Sequence, residues 1–198
     1  GLVNLNQIKK IVNFIKNRID YKTKLALLHC VSSYPTHIKD ANLKSINFLR
    51  ENFKDITIGY SDHTLGIEAA ALSIACGAKI IEKHFTINKN FSDFRDHKLS
   101  ADPKQMTDMV KRIRKIEKIL GENNKDIQFS ERNGLIDYTR SIASNKYLKK
   151  GTKVKQKDLM WIRPGQGLKP GNENLVLNKI LKQNISSGHI FKKSDFKE

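Results

Sequence analysis

This sequence predicts an α/β fold built on a parallel sheet, followed by a small second domain of mostly β texture. Three observations carry that expectation. Over the first 121 residues, short apolar runs alternate with amphipathic stretches at a steady spacing, the signature of βα units. Polar, chemically capable side chains cluster just after each apolar run. From Arg140 onward the helical periodicity gives way to short pieces punctuated by Gly turns.

The elements follow in chain order. Leu5, Ile8, Ile11, Val12 and Ile15 fall at helical spacing, predicting an amphipathic helix over residues 4–19. Residues 24–31 form a short apolar run, the pattern of a strand buried on both faces, and Ser32-Ser33-Tyr34-Pro35-Thr36 ends it as a loop. Leu43, Ile46, Leu49 and Phe53 predict the next helix. Residues 56–60 predict a second strand that runs into the polar loop Ser61-Asp62-His63-Thr64. Residues 67–76 are an Ala-rich helix stopped by Gly77. Residues 79–85 predict a third strand, followed by a polar loop that holds Asp96 and His97. Asp102 then caps, and Pro103 opens, a long helix with Met106, Val110, Ile113, Ile116 and Leu120 on one face and Gly121 as its stop. The expected boundaries are 1–121 for the first domain, 122–139 for a polar linker and 140–198 for the second domain. Its β-like pieces are residues 141–144, 151–154 and 159–162, and the loop 163–171 follows them.

Composition bounds the class. The 198 residues are 38% hydrophobic, enough for a core, so this is not a disordered basic tail. No apolar run reaches the ~18–20 residues of a membrane span, and no signal-peptide pattern opens the chain. Two cysteines, Cys30 and Cys76, sit in apolar segments, which excludes a disulfide scaffold and points to the reducing cytoplasm. The net charge of +17 raises the question of nucleic acid. The lysines are spread along the whole chain, however, and no run of them alternates with aromatics, so no nucleic-acid partner is expected. Solvated helix faces and attraction for a small anionic substrate account for the excess more simply.

The candidate chemistry lies at the strand ends. His63 and His84 each follow a strand, and neighbouring parallel strands run ~4.8 Å apart. Two imidazoles so placed can share one divalent ion, or each can be a hydrogen-bonded polar residue capping a strand. Period-2 alternation puts Glu82 on the face of His84, either as a site carboxylate or in an internal salt bridge with a lysine. Asp96 can accept from a substrate hydroxyl or stay a solvated loop charge. Tyr34 and the hydroxyls of Ser32, Ser33 and Ser61 are placed to meet phosphate or sugar oxygens. Gly165-Gln166-Gly167 lacks the βαβ context and third glycine of a dinucleotide fingerprint. Arg163, beside Trp161 and a Pro-Gly turn, is a candidate donor to an anion or an amide.

Several of these motifs, taken in order, resemble a known family. Leu28-His29-Cys30-Val31-Ser32-Ser33-Tyr34-Pro35, Gly59-Tyr60-Ser61-Asp62-His63-Thr64-Leu65-Gly66, Ile81-Glu82-Lys83-His84-Phe85-Thr86 and Asp96-His97-Lys98-Leu99-Ser100 are similar to the sialic acid synthases, the N-acetylneuraminate and legionaminate synthases. The part from Arg140, with Arg163-Pro164-Gly165, resembles the antifreeze-like (SAF) domain of the same enzymes. The resemblance implies the C-terminal part of a (β/α)8 TIM barrel followed by a small SAF (β-clip) domain. It implies condensation of phosphoenolpyruvate with an N-acyl hexosamine such as N-acetylmannosamine, giving a nonulosonic acid and phosphate. It implies a divalent metal, Mn2+ or Mg2+, held by His63 and His84, with Glu82 beside them in the catalytic group. Tyr34 and Asp96 would contact the amino sugar, and Ser32 and Ser61 would lie near phosphoenolpyruvate. Arg163 would reach the N-acyl group in the partner subunit of a domain-swapped homodimer. His29 and Asp96-His97-Lys98 look like the neuraminate and legionaminate branches rather than the pseudaminate branch. The family's barrel begins upstream of the position that Gly1 matches, so the resemblance also implies that the N-terminal half-barrel is absent and that the chain alone is inactive. A non-catalytic carbohydrate-binding or partner module derived from such a synthase is the alternative.

Overall fold

The computed structural model describes residues 1–18, 25–93 and 95–197, and the chain divides after Asn123 into two units. In the first unit, helix α1 (Leu5–Lys16) begins where its cap dictates. Asn4 Oδ1 accepts the Gln7 N–H, and the Gln7 side chain accepts the Asn4 N–H in return, satisfying two otherwise orphaned donors. The helix stops at Lys16, short of the predicted end, with Asn17 as its C-cap donating to the Ile15 carbonyl and residues 17–18 in a turn; residue 19 lies outside those described. Val12 is the buried anchor of this helix, and Leu5 and Ile8 pack beside it.

Three parallel strands follow, with α2 (Lys44–Asn52) and α3 (Glu68–Ala75) as the crossovers between them. The strands are β1 (Ala26–Cys30), β2 (Thr57–Asp62) and β3 (Ile81–Lys83), in the order β1-β2-β3. The register pairs Leu28 with Gly59, Cys30 with Ser61, Ser61 with Glu82 and Asp62 with Lys83. Alternation along β2 sends Ile58 and Tyr60 into the core with Val12, Ile46, Leu49 and Phe53, and leaves Gly59 and Ser61 on the opposite face. Gly59 is needed because β3 comes close: a Cβ there would lie 2.6 Å from the Ile80 carbonyl oxygen.

Two strand lengths and one burial pattern differ from the sequence reading. β2 runs two residues further, because Asp62 still has a ladder partner in Lys83. β3 is shorter, because the His84 carbonyl accepts from Ala101 and the chain goes on as the single parallel bridge Phe85–Ala101. β1 is half-buried along its length, where burial on both faces was expected, since β2 flanks it on one edge. A short helix, α4 (Arg95–Leu99), also replaces the expected loop around Asp96 and His97.

Helix α5 (Pro103–Leu120) starts and stops as its residues require. Asp102 Oδ1 accepts the Gln105 N–H at 2.8 Å, Pro103 fills the first turn, and Gly121 follows at φ 58°. Its Met109 packs with Ile67 and Ala70 of the α3 region. Among the described residues, no helix is long and apolar enough to cross a membrane.

The second unit opens with a 3-10 turn (Phe129–Gly134) and the short helix α6 (Leu135–Tyr138). The antiparallel pair β4 (Ser141–Ser144) and β5 (Leu159–Ile162) follows. Residues 151–154, expected to be β-like, form no strand: Lys153 makes a single bridge to Ile180, and Val154 exchanges hydrogen bonds with Lys179 and Asn178. The core collects Ile142, Val154, Leu159, Val176, Leu181, Ile185, Phe191 and Phe196 from these short pieces.

Asp158 ties this core to its surface. It is 4% exposed, its Oδ2 accepts the Lys155 N–H at 2.9 Å, and Lys146 Nζ lies 2.8 Å from Oδ1. Burial works to raise this carboxyl, but the Lys146 ammonium and the Lys155 N–H outweigh it and hold it below its ordinary value. A carboxyl depressed on folding contributes stability above its unfolded pKa and loses it as pH falls through the folded one. Asp158→Asn is therefore expected to cost about 1–3 kcal/mol near neutral pH. The deficit should shrink once the pH drops below the ordinary Asp value of about 3.9. Thermal unfolding of both proteins at neutral and acid pH checks this, and an equal deficit at both would reject the assigned role.

Candidate active site

The β2–β3 ladder ends at the Asp62–Lys83 rung, and the next residues along the two strands are His63 and His84. Alternation places the two imidazoles on the face of Ser61 and Glu82, opposite Tyr60, Asp62 and Lys83. Their ring centroids are 5.1 Å apart and the rings are nearly perpendicular, at 78°. His63 is 4% exposed. Its Nδ1 lies 3.1 Å from the Val31 carbonyl oxygen. A carbonyl can only accept, so Nδ1 carries the hydrogen and the Nε2 lone pair of the neutral ring is left for another partner. His84 Nδ1 is 3.8 Å from Asp96 Oδ2, both side chains about one-third exposed.

Tyr34 completes the aromatic wall. Its ring centroid is 4.3 Å from that of His63 and 6.0 Å from that of His84. The Tyr34 loop is held by Thr36, whose N–H donates to the His63 carbonyl at 2.9 Å and whose buried hydroxyl donates to the Ser33 carbonyl at 2.9 Å. Ser61 Oγ donates to Glu82 Oε1 at 2.7 Å across the strands. The neighbouring Lys83 pairs with Asp62 on the other face, and Glu82 is bonded instead to the Ser61 hydroxyl. Beside Asp96 on α4, His97 Nδ1 lies 2.9 Å from the buried Thr86 hydroxyl, which fixes this helix against the chain leaving β3.

The structure brings together Tyr34, Ser61, His63, Glu82, His84 and Asp96. Ser32 stands at the exposed margin, its Oγ 3.9 Å from Cys30 Sγ. Arg163 belongs to the second unit, where it is exposed and its Nε donates to the Tyr138 carbonyl at 3.1 Å. Among the described residues, no three His, Cys, Asp or Glu side chains gather into a metal cage. Two imidazoles could serve a cation as donors, with remaining positions open to oxygen ligands, and the tautomer of His63 is compatible with that role.

Sequence reasoning passed over the residues on the other side of the strands. Asp62 Oδ1 accepts from Tyr60 OH at 3.2 Å and from Thr64 N and Oγ1, each at 2.8 Å. The available signal was register: Asp62 and Lys83 each stand one residue before a candidate histidine.

The pattern of the NeuB family matches residues 1–125, and that of the SAF domain matches residues 139–197. The chain belongs to the NeuB family. An uncharacterized protein of Methanocaldococcus jannaschii is 41% identical to it over 182 residues, 92% of this chain and 53% of that protein. The N,N'-diacetyllegionaminic acid synthase of Legionella pneumophila is 36% identical over 193 residues, 95% of this chain and 53% of that enzyme. The N-acetylneuraminic acid synthetase of Leptospira borgpetersenii, crystallised with citrate, superposes with a TM-score of 0.62 at 40% identity. That match covers 67% of this chain and 45% of the Leptospira chain. This NeuB family member thus spans about half the length of the curated relatives it matches.

Burial, reinforced by the Asp62 carboxylate and its hydrogen bond, pushes the Tyr60 phenol well above its ordinary value. In an alkaline absorbance titration, Tyr60 is expected to stay protonated after exposed tyrosines have ionised. Tyr60→Phe should remove that late step; its survival in the variant would assign the step elsewhere.

Proposed function

We propose that this chain supplies part of the active site of a nonulosonic acid synthase. That enzyme condenses phosphoenolpyruvate with an N-acyl hexosamine such as N-acetylmannosamine, giving N-acetylneuraminate or legionaminate and phosphate. The observation that carries the reading is the pairing of His63 and His84 at two consecutive parallel strand ends, with Tyr34 and Asp96 beside them. Strand ends of this kind are where (β/α)8 barrels place their chemistry. In this reading β1–β3 are successive strands of the C-terminal part of such a barrel, which needs further strands from outside this sheet. Residues 140–198 are the SAF domain and 122–139 the connection.

The net reaction forms a bond from C3 of phosphoenolpyruvate to the sugar aldehyde carbon, adds water at C2 and releases phosphate. His63 and His84 would hold a divalent ion, Mn2+ or Mg2+, which when bound polarises the aldehyde and acidifies water. Asp96 accepts from a sugar hydroxyl, and Tyr34 packs beside the sugar. Ser32 donates to an oxygen of phosphoenolpyruvate, and Ser61, whose one hydroxyl hydrogen is held by Glu82, lies beside it. Glu82 keeps a second carboxylate oxygen free of the Ser61 bond, and takes the proton that the attacking water loses. Arg163, in a domain-swapped homodimer, donates to the N-acyl carbonyl in the partner subunit's site. The two free thiols, Cys30 and Cys76, agree with a reducing cytoplasm.

The test is Mn2+ titration together with an assay of phosphate release from phosphoenolpyruvate and N-acetylmannosamine, using the native protein that contains these residues. His63→Ala and His84→Ala are each expected to abolish both Mn2+ binding and phosphate release. Unchanged Mn2+ affinity would sink the metal assignment. Sugar binding without phosphate release in the unsubstituted protein would favour a carbohydrate-binding module.

A further inference from the structure

Behind the two imidazoles, on the opposite face of the same strands, lies an ion pair that the proposed chemistry does not use. Lys83 Nζ is 2.9 Å from Asp62 Oδ2, and the two side chains are 1% and 0% exposed. The ammonium also donates to the Thr64 carbonyl at 2.5 Å. Asp62 Oδ1 takes the Tyr60 hydroxyl and both Thr64 donors, so each oxygen of the carboxylate is occupied.

Stability alone is a poor reason for such a pair. Desolvating two charges costs several kcal/mol per ion, and well-packed apolar residues of similar volume often serve as well or better. A buried pair of this kind does fix geometry, because its groups have few other arrangements without loss. Here the fixed geometry is that of the last rung between β2 and β3. Asp62 precedes His63, Thr64 follows it, and Lys83 precedes His84. His63 is therefore held on both sides, by residues that share one carboxylate and one ammonium. The strand that carries His84 hangs from the same ammonium. Strand ends otherwise fray, and a pair of metal-binding rings needs its separation held to a fraction of an ångström.

The geometry points to Asp62 and Lys83 as positioning residues, a buried clamp that sets the spacing and orientation of His63 and His84 for a shared cation. This rests on the reading that the two histidines bind one divalent ion. The test is Mn2+ titration by electron paramagnetic resonance on the native protein that contains these residues and on its D62N, K83M, D62N/K83M and T64V variants. Circular dichroism confirms the fold of each. D62N and K83M are each expected to weaken Mn2+ binding about 10–100-fold, the range for outer-shell partners of metal ligands. The double variant should lose little more, because each single change already opens the same clamp. T64V, which removes one hydroxyl from Asp62, should shift affinity in the same direction by less, and it keeps the test alive if the charge variants do not fold.

A second readout needs no metal. The imidazole nitrogen resonances of His63 and His84 should move in D62N and K83M, and in T64V by less. Folded variants with parental Mn2+ affinity and unmoved imidazole resonances would overturn the clamp, leaving a merely structural pair. If the unsubstituted native protein does not bind Mn2+, or if H63A binds it equally well, the metal reading falls instead. The imidazole resonances then decide the clamp by themselves.

Discussion

Two imidazoles can face one another across a parallel ladder only if the strands keep their spacing to the last rung, and here that rung is made of charge. The Asp62–Lys83 pair closes β2 against β3 at the last rung of their ladder, beyond which the His63 carbonyl turns to Thr36 and the His84 carbonyl to Ala101. One residue further, the chain has left the strands and each histidine stands at a loop. Without the pair, each ring would be tied to its own neighbouring segment but not to the other strand at this rung. With it, they sit on a joint whose every polar atom is spoken for, down to the Tyr60 hydroxyl and both donors of Thr64.

The sheet therefore has two faces with separate tasks. One carries Ile58, Tyr60, Asp62 and Lys83, packs on the helices and determines where the strands lie. The other carries Gly59, Ser61, Glu82 and the two histidines, and holds the polar groups that chemistry can use. Gly59 belongs to the second face but serves the first, since its missing side chain lets Ile80 approach. Rigidity is built on the dry side and spent on the wet one, a division that alternation along a strand provides at no extra length.

Much of this was legible in the sequence. The α/β alternation, the capped helix starting at Pro103 and the grouping of His63, His84 and Tyr34 all follow from local patterns, because each depends on residues close in sequence or on strand ends in register. The length of β2 was not legible, since Ser61-Asp62 reads as a loop until Lys83 is known to lie opposite. Burial of β1 was overread, because an apolar run does not tell how many neighbours the strand has. Helix α4 was missed, as Arg95–Leu99 is too short to show a period. The texture of the second unit was read correctly in being short and turn-rich. Its bridges, such as Lys153–Ile180, pair residues far apart in sequence, and local patterns are blind to those.

The hydrogen bond from the Thr36 N–H to the His63 carbonyl joins the Tyr34 loop to the backbone of a candidate ligand-binding residue. A molecule that displaced this loop would pull on the peptide of His63, and an occupant of the imidazole would restrain the loop in turn. Any such linkage would be symmetric: the factor by which one occupant alters the affinity of the other is the same read from either side. Because free energy is a state function, the order of arrival would leave the final balance unchanged while still governing the rate.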